Sequence, residues 1–186
     1  KKLFAYSSIS QIGFITLGIS LVTTSGLIAS VVHIANHAIT KGAVFLLLGC
    51  IAMNNKNLSI DKIKGLGKNM PLIAGGIVIS GLSLVGIPGT VGFISKWNLI
   101  FAILDKGYWW LAIITLCSSL ITIIYIWKLI EIMYFKQADE TNKPREKVPL
   151  IMVLCSLFLV FLCVYFGINP SLPLDGATSA AQFLTR

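Results

Sequence analysis

Charge is scarce in this sequence. Charged residues make up 12% of its 186 positions, and only seven residues are acidic. An ordinary soluble domain has about 25% charged residues, so this class of protein is excluded. Hydrophobic residues account for 56% of the chain, and the mean hydropathy is +0.87. The composition therefore indicates an integral membrane protein that contacts the lipid bilayer.

Motifs for catalysis, cofactors and nucleic acids are also lacking. The four cysteines form no CxxC pair or metal-ligand spacing, and they are interpreted as small buried hydrophobic residues. There is no HExxH motif, no nucleotide-binding glycine fingerprint and no nucleophile–base set. The net charge is +8, but the basic residues do not form an arm or a patch interleaved with aromatic residues, which argues against nucleic-acid binding. We therefore expect no catalytic residue, cofactor or metal in this chain, although it could be a subunit of a redox-driven translocase.

Long apolar runs predict about five membrane-spanning helices, since about 20 residues are needed to cross the hydrocarbon core. The predicted spans cover residues 3–22, 27–53, 71–104, 108–135 and 148–168. They form one all-α bundle over residues 1–168, followed by a C-terminal tail at 169–186. The third span contains Gly86, Pro88, Gly89 and Gly92. Because proline removes a backbone donor and glycine weakens a helix, a break is predicted near residues 85–92.

The distribution of basic loop residues predicts the topology. If the third run crosses the membrane once, ten Lys and Arg residues lie on one side and two on the other. If it crosses twice, the split is eight against four. Positive residues collect on the cytoplasmic side, so we predict one discontinuous span, with the N-terminus cytoplasmic and the C-terminus outside. We expect a multi-pass protein of a prokaryotic plasma membrane, and a fragment of a longer chain.

A polar stripe lies within the second span. His33, His37 and Lys41 are spaced i, i+4, i+8 and therefore share one face of a helix. Lys41 lies near the middle of the span, where a charge is unfavourable by about 2.5–3.5 kcal/mol unless it faces the bundle interior or a water-filled cavity. A single histidine on such a face is more often a core residue, and zinc binding is disfavoured because no acidic residue or cysteine is close in sequence. Together, the three residues predict a proton or ion pathway.

Lys96 is the second candidate in the membrane interior, because it follows the predicted break in the first turns of a half-helix. Desolvation and the positive end of the helix dipole both disfavour its ammonium form. A lysine in this position could exchange protons, which an arginine could not do. Lys128 and Glu131 form a possible secondary pathway near the end of the fourth span. The alternative for this pair, which we favour, is a lysine that extends to the headgroups beside a neighbouring glutamate.

Three segments of the sequence resemble the antiporter-like membrane proteins. These segments are KKLFAYSSISQIGF, HIANHAITKGAVFLLLG and LSLVGIPGTVGFISKWNLI. The chain is similar to the C-terminal half of the D subunit of Mrp-type sodium/proton antiporters and of the related proton-pumping subunits of complex I and membrane-bound hydrogenases. The resemblance implies the second of two inverted five-helix repeats plus the last helix of the antiporter-like fold, with one discontinuous helix and a polar axis. It also implies that His33, His37, Lys41 and Lys96 belong to a proton pathway.

Three functional hypotheses follow. The first is a proton-translocating subunit of a multisubunit cation/proton antiporter, whose partners are other subunits, protons and Na+. The second is a proton-pumping subunit of a redox complex, such as an NADH-quinone oxidoreductase or a membrane-bound hydrogenase. The third is a structural membrane subunit, in which the buried charges only hold helices together.

Overall fold

A computed structural model describes residues 2–54, 63–137 and 148–185, and these residues form eight α-helices and no strand. The helices are α1 (Lys2–Ser20), α2 (Thr24–Asn54), α3 (Leu66–Asn69), α4 (Pro71–Val85), α5 (Val91–Asp105), α6 (Trp109–Tyr134), α7 (Leu150–Ile168) and α8 (Ser171–Leu184). Helices α1, α2, α6 and α7 are long and apolar enough to cross a membrane. The predicted fold class, an all-α membrane protein, is confirmed.

Helices α4 and α5 are too short to cross the membrane separately. Each has 15 residues, and at 1.5 Å per residue each is about 22 Å long, against about 30 Å of hydrocarbon. A single crossing made by both helices therefore remains a prediction. The predicted membrane orientation also remains a prediction. Seven residues of the charge count lie outside the described residues: Lys1, Lys56, Lys62, Lys143, Arg145, Lys147 and Arg186.

Helix α2 is the centre of the bundle. It has 31 residues and packs against α1, α4, α5, α7 and α8. It begins at Thr24, three residues before the predicted start of the second span. The Thr23 hydroxyl caps this start, because it accepts a hydrogen bond from the Gly26 backbone N–H at 3.0 Å. Such a cap satisfies one of the free N–H groups at a helix start. The polar stripe therefore lies on the longest helix of the described residues, which packs against five others.

Two apolar clusters lie along α2, on either side of the polar stripe. The first includes Val44 and Leu47 of α2 together with residues of α4, α6 and α7. The second joins Ala29, near the start of α2, to Phe14 of α1 and Leu99 of α5. Burial of this apolar surface holds α2 in place from both ends. The polar residues between the clusters are thus enclosed by protein on several sides.

The chain between α4 and α5 turns at two glycines with left-handed backbone conformations, Gly86 (φ 90°) and Gly89 (φ 86°). The Gly86 N–H donates to the carbonyls of Leu82 and Ser83 and ends α4. Other residues adopt this conformation less readily than glycine. Pro88 lies in the turn, whereas Gly92 already belongs to α5 and packs against α4.

The segment predicted as a C-terminal tail contains a helix, α8, which packs mainly against α2. Ala177 and Ala181 are its buried residues. They are four residues apart and lie on one face, where small side chains permit a close approach between helices. The sequence of the tail has too few large apolar residues to indicate this packing.

Candidate functional site

Five neighbouring residues of α2 form a continuous polar face: His33, Asn36, His37, Thr40 and Lys41. All are buried except His37, which is half-buried. Their spacing of three and four residues places them on one side of the helix. The structure therefore extends the predicted stripe by Asn36 and Thr40.

Lys41 reaches from α2 to the first turns of α1 and is 7% exposed. Its ammonium donates a hydrogen bond to the Phe4 carbonyl at 2.7 Å and another to the Ser7 hydroxyl. The rings of Phe4 and Phe45 lie 5.7 and 5.8 Å from the same nitrogen, within cation–π range. The hydrogen-bond partners of this buried cation are thus neutral oxygens.

Lys96 lies on α5, and its ammonium contacts the end of α4. It is 6% exposed and donates hydrogen bonds to the carbonyls of Leu84 and Val85, both at 2.8 Å. A third bond, of 3.1 Å, goes to the Ser119 hydroxyl of α6. The carboxyl end of a helix carries partial negative charge, so the ammonium compensates the dipole of α4. Like Lys41, Lys96 donates to neutral oxygens.

The two histidines lie between the lysines. The Nδ1 atom of His33 is 2.8 Å from the Ser95 hydroxyl, which neighbours Lys96 in sequence. The rings of His33 and His37 are stacked with 6.2 Å between centroids, and His37 precedes Lys41 by one helical turn. The structure therefore brings His33, His37, Lys41 and Lys96 into one cluster.

Hydrogen bonds tie α2 to both sides of the helix break. The Asn36 amide donates to the Val91 carbonyl at the start of α5, at 2.8 Å. The hydroxyls of Thr40 and Ser83 are 3.1 Å apart and link α2 to the end of α4. The Ser83 hydroxyl also accepts a weaker bond, of 3.3 Å, from the Gly92 N–H. These contacts fix the break against the polar face of α2.

A small cavity lined mainly by polar residues, with room for about one water molecule, lies at this junction. Its lining comprises Gln11, His33, Asn36, His37, Thr40, Ser83, Leu84, Gly92 and Ser95. Four buried side-chain atoms of its lining have no hydrogen-bond partner within the described part of the chain: Gln11 Nε2, His33 Nε2, Asn36 Oδ1 and His37 Nδ1. Buried polar groups are normally hydrogen-bonded to protein or to water, so the cavity is suited to ordered water.

The predicted secondary pathway lies apart from this cavity. Lys128 and Glu131 are both exposed on α6 and do not line the cavity. Within residues 2–54, 63–137 and 148–185, no three His, Cys, Asp or Glu side chains form a group that could hold a metal ion. The secondary pathway through the Lys128 and Glu131 pair remains a prediction.

The sequence model of the family described as "NADH:quinone oxidoreductase/Mrp antiporter, TM" matches residues 1–122. The chain belongs to this family. A curated relative, NADH-quinone oxidoreductase subunit N of Desulforudis audaxviator, is 35% identical over 146 residues, which are 78% of this chain and 29% of the relative. This chain spans only about a third of the length of the curated relatives it matches.

Two solved structures place the fold in the same family. A chain of an archaeal membrane-bound sulfane sulfur reductase superposes with a TM-score of 0.86 and 32% identity, covering 96% of this chain and 36% of the other. A chain of the Mrp complex from a Dietzia species gives a TM-score of 0.85 and 25% identity, with 95% and 41% covered. The resemblance to antiporter-like membrane subunits is therefore confirmed.

Four members of the site were not predicted from the sequence: Gln11, Asn36, Ser83 and Ser95. A signal was available for Asn36, because it shares the helical face of the histidines. Gln11 is the one amide side chain in the first apolar run, and burial of an amide in a membrane span is a similar signal. The two serines gave no signal, because small hydroxyl residues are common in membrane helices and bond their own backbone.

The proton-pathway hypothesis from the sequence predicts that replacing Asn36 with leucine slows proton translocation by about tenfold or more without loss of assembly. The change keeps the side-chain volume but removes the bond to the Val91 carbonyl, which positions the start of α5, and small displacements near a reacting group have effects of this size. Proton uptake into vesicles containing the complete complex measures the rate. Asn98→Leu is the matched control, since the hydrogen bond that the structure gives the Asn98 side chain goes to the Ile94 carbonyl of its own helix. Equal rates in both variants would contradict a positioning role for Asn36.

Proposed function

We propose that this chain is the proton-translocating part of a membrane subunit in a multisubunit complex of the NADH:quinone oxidoreductase/Mrp antiporter family. Lys41 and Lys96 take up and release protons, and His33 and His37 form the connection between them. The observation that supports this most directly is that both buried ammonium groups donate to neutral oxygens. Among the described residues neither lysine has a carboxylate partner, so the charge pairing that would lock its proton in place is lacking there.

The geometry supports a short sequence of proton transfers. Lys96 and Ser95 are adjacent, Ser95 contacts His33, and His33 stacks on His37, which is one turn from Lys41. A neutral histidine can accept a proton on one ring nitrogen and release one from the other. Water in the cavity can bridge His33 and His37, which both line it and whose ring centroids are 6.2 Å apart. Each step moves one proton, and before the next transfer the lysine must be protonated again and the histidine must return to its starting tautomer.

The identity of the curated relative favours a redox-driven pump as the source of energy. It is named as a subunit of NADH-quinone oxidoreductase, and we infer that electron transfer in partner subunits drives protons through this chain. No redox chemistry is assigned to residues of the chain itself. The complex would lie in the plasma membrane of a prokaryote, with the chain as a multi-pass subunit.

A second candidate is cation/proton exchange, with Na+ as the exchanged ion. It is favoured by the structural similarity to a chain of an Mrp complex. In this version a gradient of one ion drives the other, and no electron donor is needed. The hydrogen-bonded lysine and histidine cluster would serve both versions, because either requires protons to cross the interior of the bundle.

Inverted vesicles containing the complete complex distinguish the two candidates. We expect an electron donor to acidify the vesicle lumen, as followed by a pH-sensitive dye. Na+ added to vesicles with a preformed pH gradient, without the donor, should leave the gradient unchanged. The opposite pattern would replace the redox-driven pump with a Na+/H+ antiporter. No proton movement under either condition would overturn the proposed function and leave a structural subunit.

A further inference from the structure

The end of α4 presents two backbone carbonyls that the fold does not supply with backbone donors. In an α-helix, the carbonyl of Leu84 would accept from the residue at position 88, which is Pro88 and has no N–H. The left-handed Gly86 turns the chain away from the Val85 carbonyl. Among the described residues, no backbone N–H donates to either oxygen. Both oxygens are instead bound by the Lys96 ammonium.

These oxygens form the kind of site that binds a monovalent cation. The ammonium is held by two carbonyls and the Ser119 hydroxyl, and the Phe14 ring lies 5.2 Å from its nitrogen. Backbone carbonyls replace the hydration shell of K+ in channels, and half-helix carboxyl ends coordinate Na+ in transporters. Calcium and magnesium ions prefer carboxylates, and none of the three oxygens belongs to one. These neutral oxygens therefore favour a monovalent cation over a divalent one.

We propose that the carbonyls of Leu84 and Val85 and the hydroxyl of Ser119 form a binding site for a monovalent metal cation, in which the Lys96 ammonium is the alternative occupant. The two occupants use the same oxygens and both are positive, so only one can be present. As Lys96 releases its proton and moves aside, an entering cation keeps the charge of the site constant. The site borders the polar cavity through Leu84. This inference rests on the proposed function only in treating Lys96 as a proton carrier.

The preferred ion follows from the distances. The two carbonyls lie 2.8 Å from the ammonium nitrogen, which matches the larger, weakly hydrated K+ and Rb+ better than Na+. We therefore expect binding in the order Rb+ and K+ above Na+. Choline is too large to reach the three oxygens and serves as the inert replacement at constant ionic strength.

The test is equilibrium binding of radioactive rubidium to the purified complete complex, without any ion gradient. Lys96→Met removes the ammonium, and we expect it to bind rubidium at least about tenfold more tightly than the native complex. Lys106→Met is the matched control, since Lys106 is exposed beyond the end of the same helix. Adding Ser119→Ala to Lys96→Met should remove most of the gain. Lys96→Gln should show no gain, because its amide can donate to the same carbonyls.

Each result either supports or overturns the site. No gain in Lys96→Met, or a gain that Ser119→Ala leaves unchanged, overturns it. If Lys96→Met fails to assemble in choline chloride, extraction in rubidium chloride should restore assembly, and no restoration also overturns the proposal. The binding assay does not depend on transport, so the two proposals can fail separately. If Lys96→Met loses proton translocation in the vesicle assay but gains no rubidium binding, the proposed function stands and only the cation site is rejected.

Discussion

Replacing Lys96 or Lys41 with methionine should lower proton translocation by the complete complex by at least about tenfold, a barrier increase of about 1.4 kcal/mol. Methionine keeps an unbranched chain of similar length but cannot bind a proton. Both lysines are buried, and each holds its ammonium among neutral oxygens in contact with the polar cluster. The initial rate of proton uptake into inverted vesicles, divided by the amount of complex, gives the effect.

The control for both variants is Lys106→Met, which makes the same chemical change at an exposed position. We expect it to retain the native rate. If the buried lysines only hold helices together, methionine should preserve translocation and could raise thermal stability, because apolar residues often replace buried charges without loss. Native rates in both Lys41→Met and Lys96→Met would therefore reject the proton pathway.

Gly92→Ala should destabilise the complex by about 3 kcal/mol or more, at the upper end of the effect of overpacking. A Cβ atom at this position would lie 1.8 Å from the Ser83 backbone oxygen. Since the obstacle is backbone, no side-chain rotation can relieve the contact, and α5 must move away from the end of α4. The midpoint of thermal unfolding and the amount of assembled complex in the membrane measure the change.

Gly75→Ala is the matched control, because Gly75 lies in α4 and a Cβ atom there would meet nothing within 4 Å. Alanine has a higher helix propensity than glycine, so we expect the control to be neutral or slightly stabilising. A Gly92→Ala complex with native stability would show that α4 and α5 are not packed as closely as the structure places them. It would also remove the basis for Ser83 as a link across the break.

The fold class and the family could be predicted from the sequence, because the first depends on long apolar runs and the second on contiguous motifs. Apolar runs indicated the membrane helices, and the HIANHAITK and GIPG segments carried the resemblance. The docking of each lysine could not be predicted, because Phe4 and Ser7 are more than 30 residues from Lys41. Contacts between distant segments depend on how helices rotate and tilt, which a single sequence does not report.

The cavity was beyond prediction for the same reason. Its lining combines Gln11 of α1, the polar face of α2, and Ser83 and Ser95 on opposite sides of the break. Each of these residues alone has an ordinary structural interpretation, and only their convergence makes a site. Helix α8 was not predicted for a different reason. Its buried residues are Ala177 and Ala181, whose small side chains give a weak apolar signal in the sequence.

The two lysines hold different parts of the bundle together. Lys41 joins α2 to α1, whereas Lys96 joins α5 to α4 and α6. A proton that moves between them would strengthen one set of charge-assisted contacts and weaken the other. The position of a single proton would then determine which helices are held by charge-assisted hydrogen bonds and which are free to shift. The groups that conduct the proton would thus also control the relative movement of neighbouring helices.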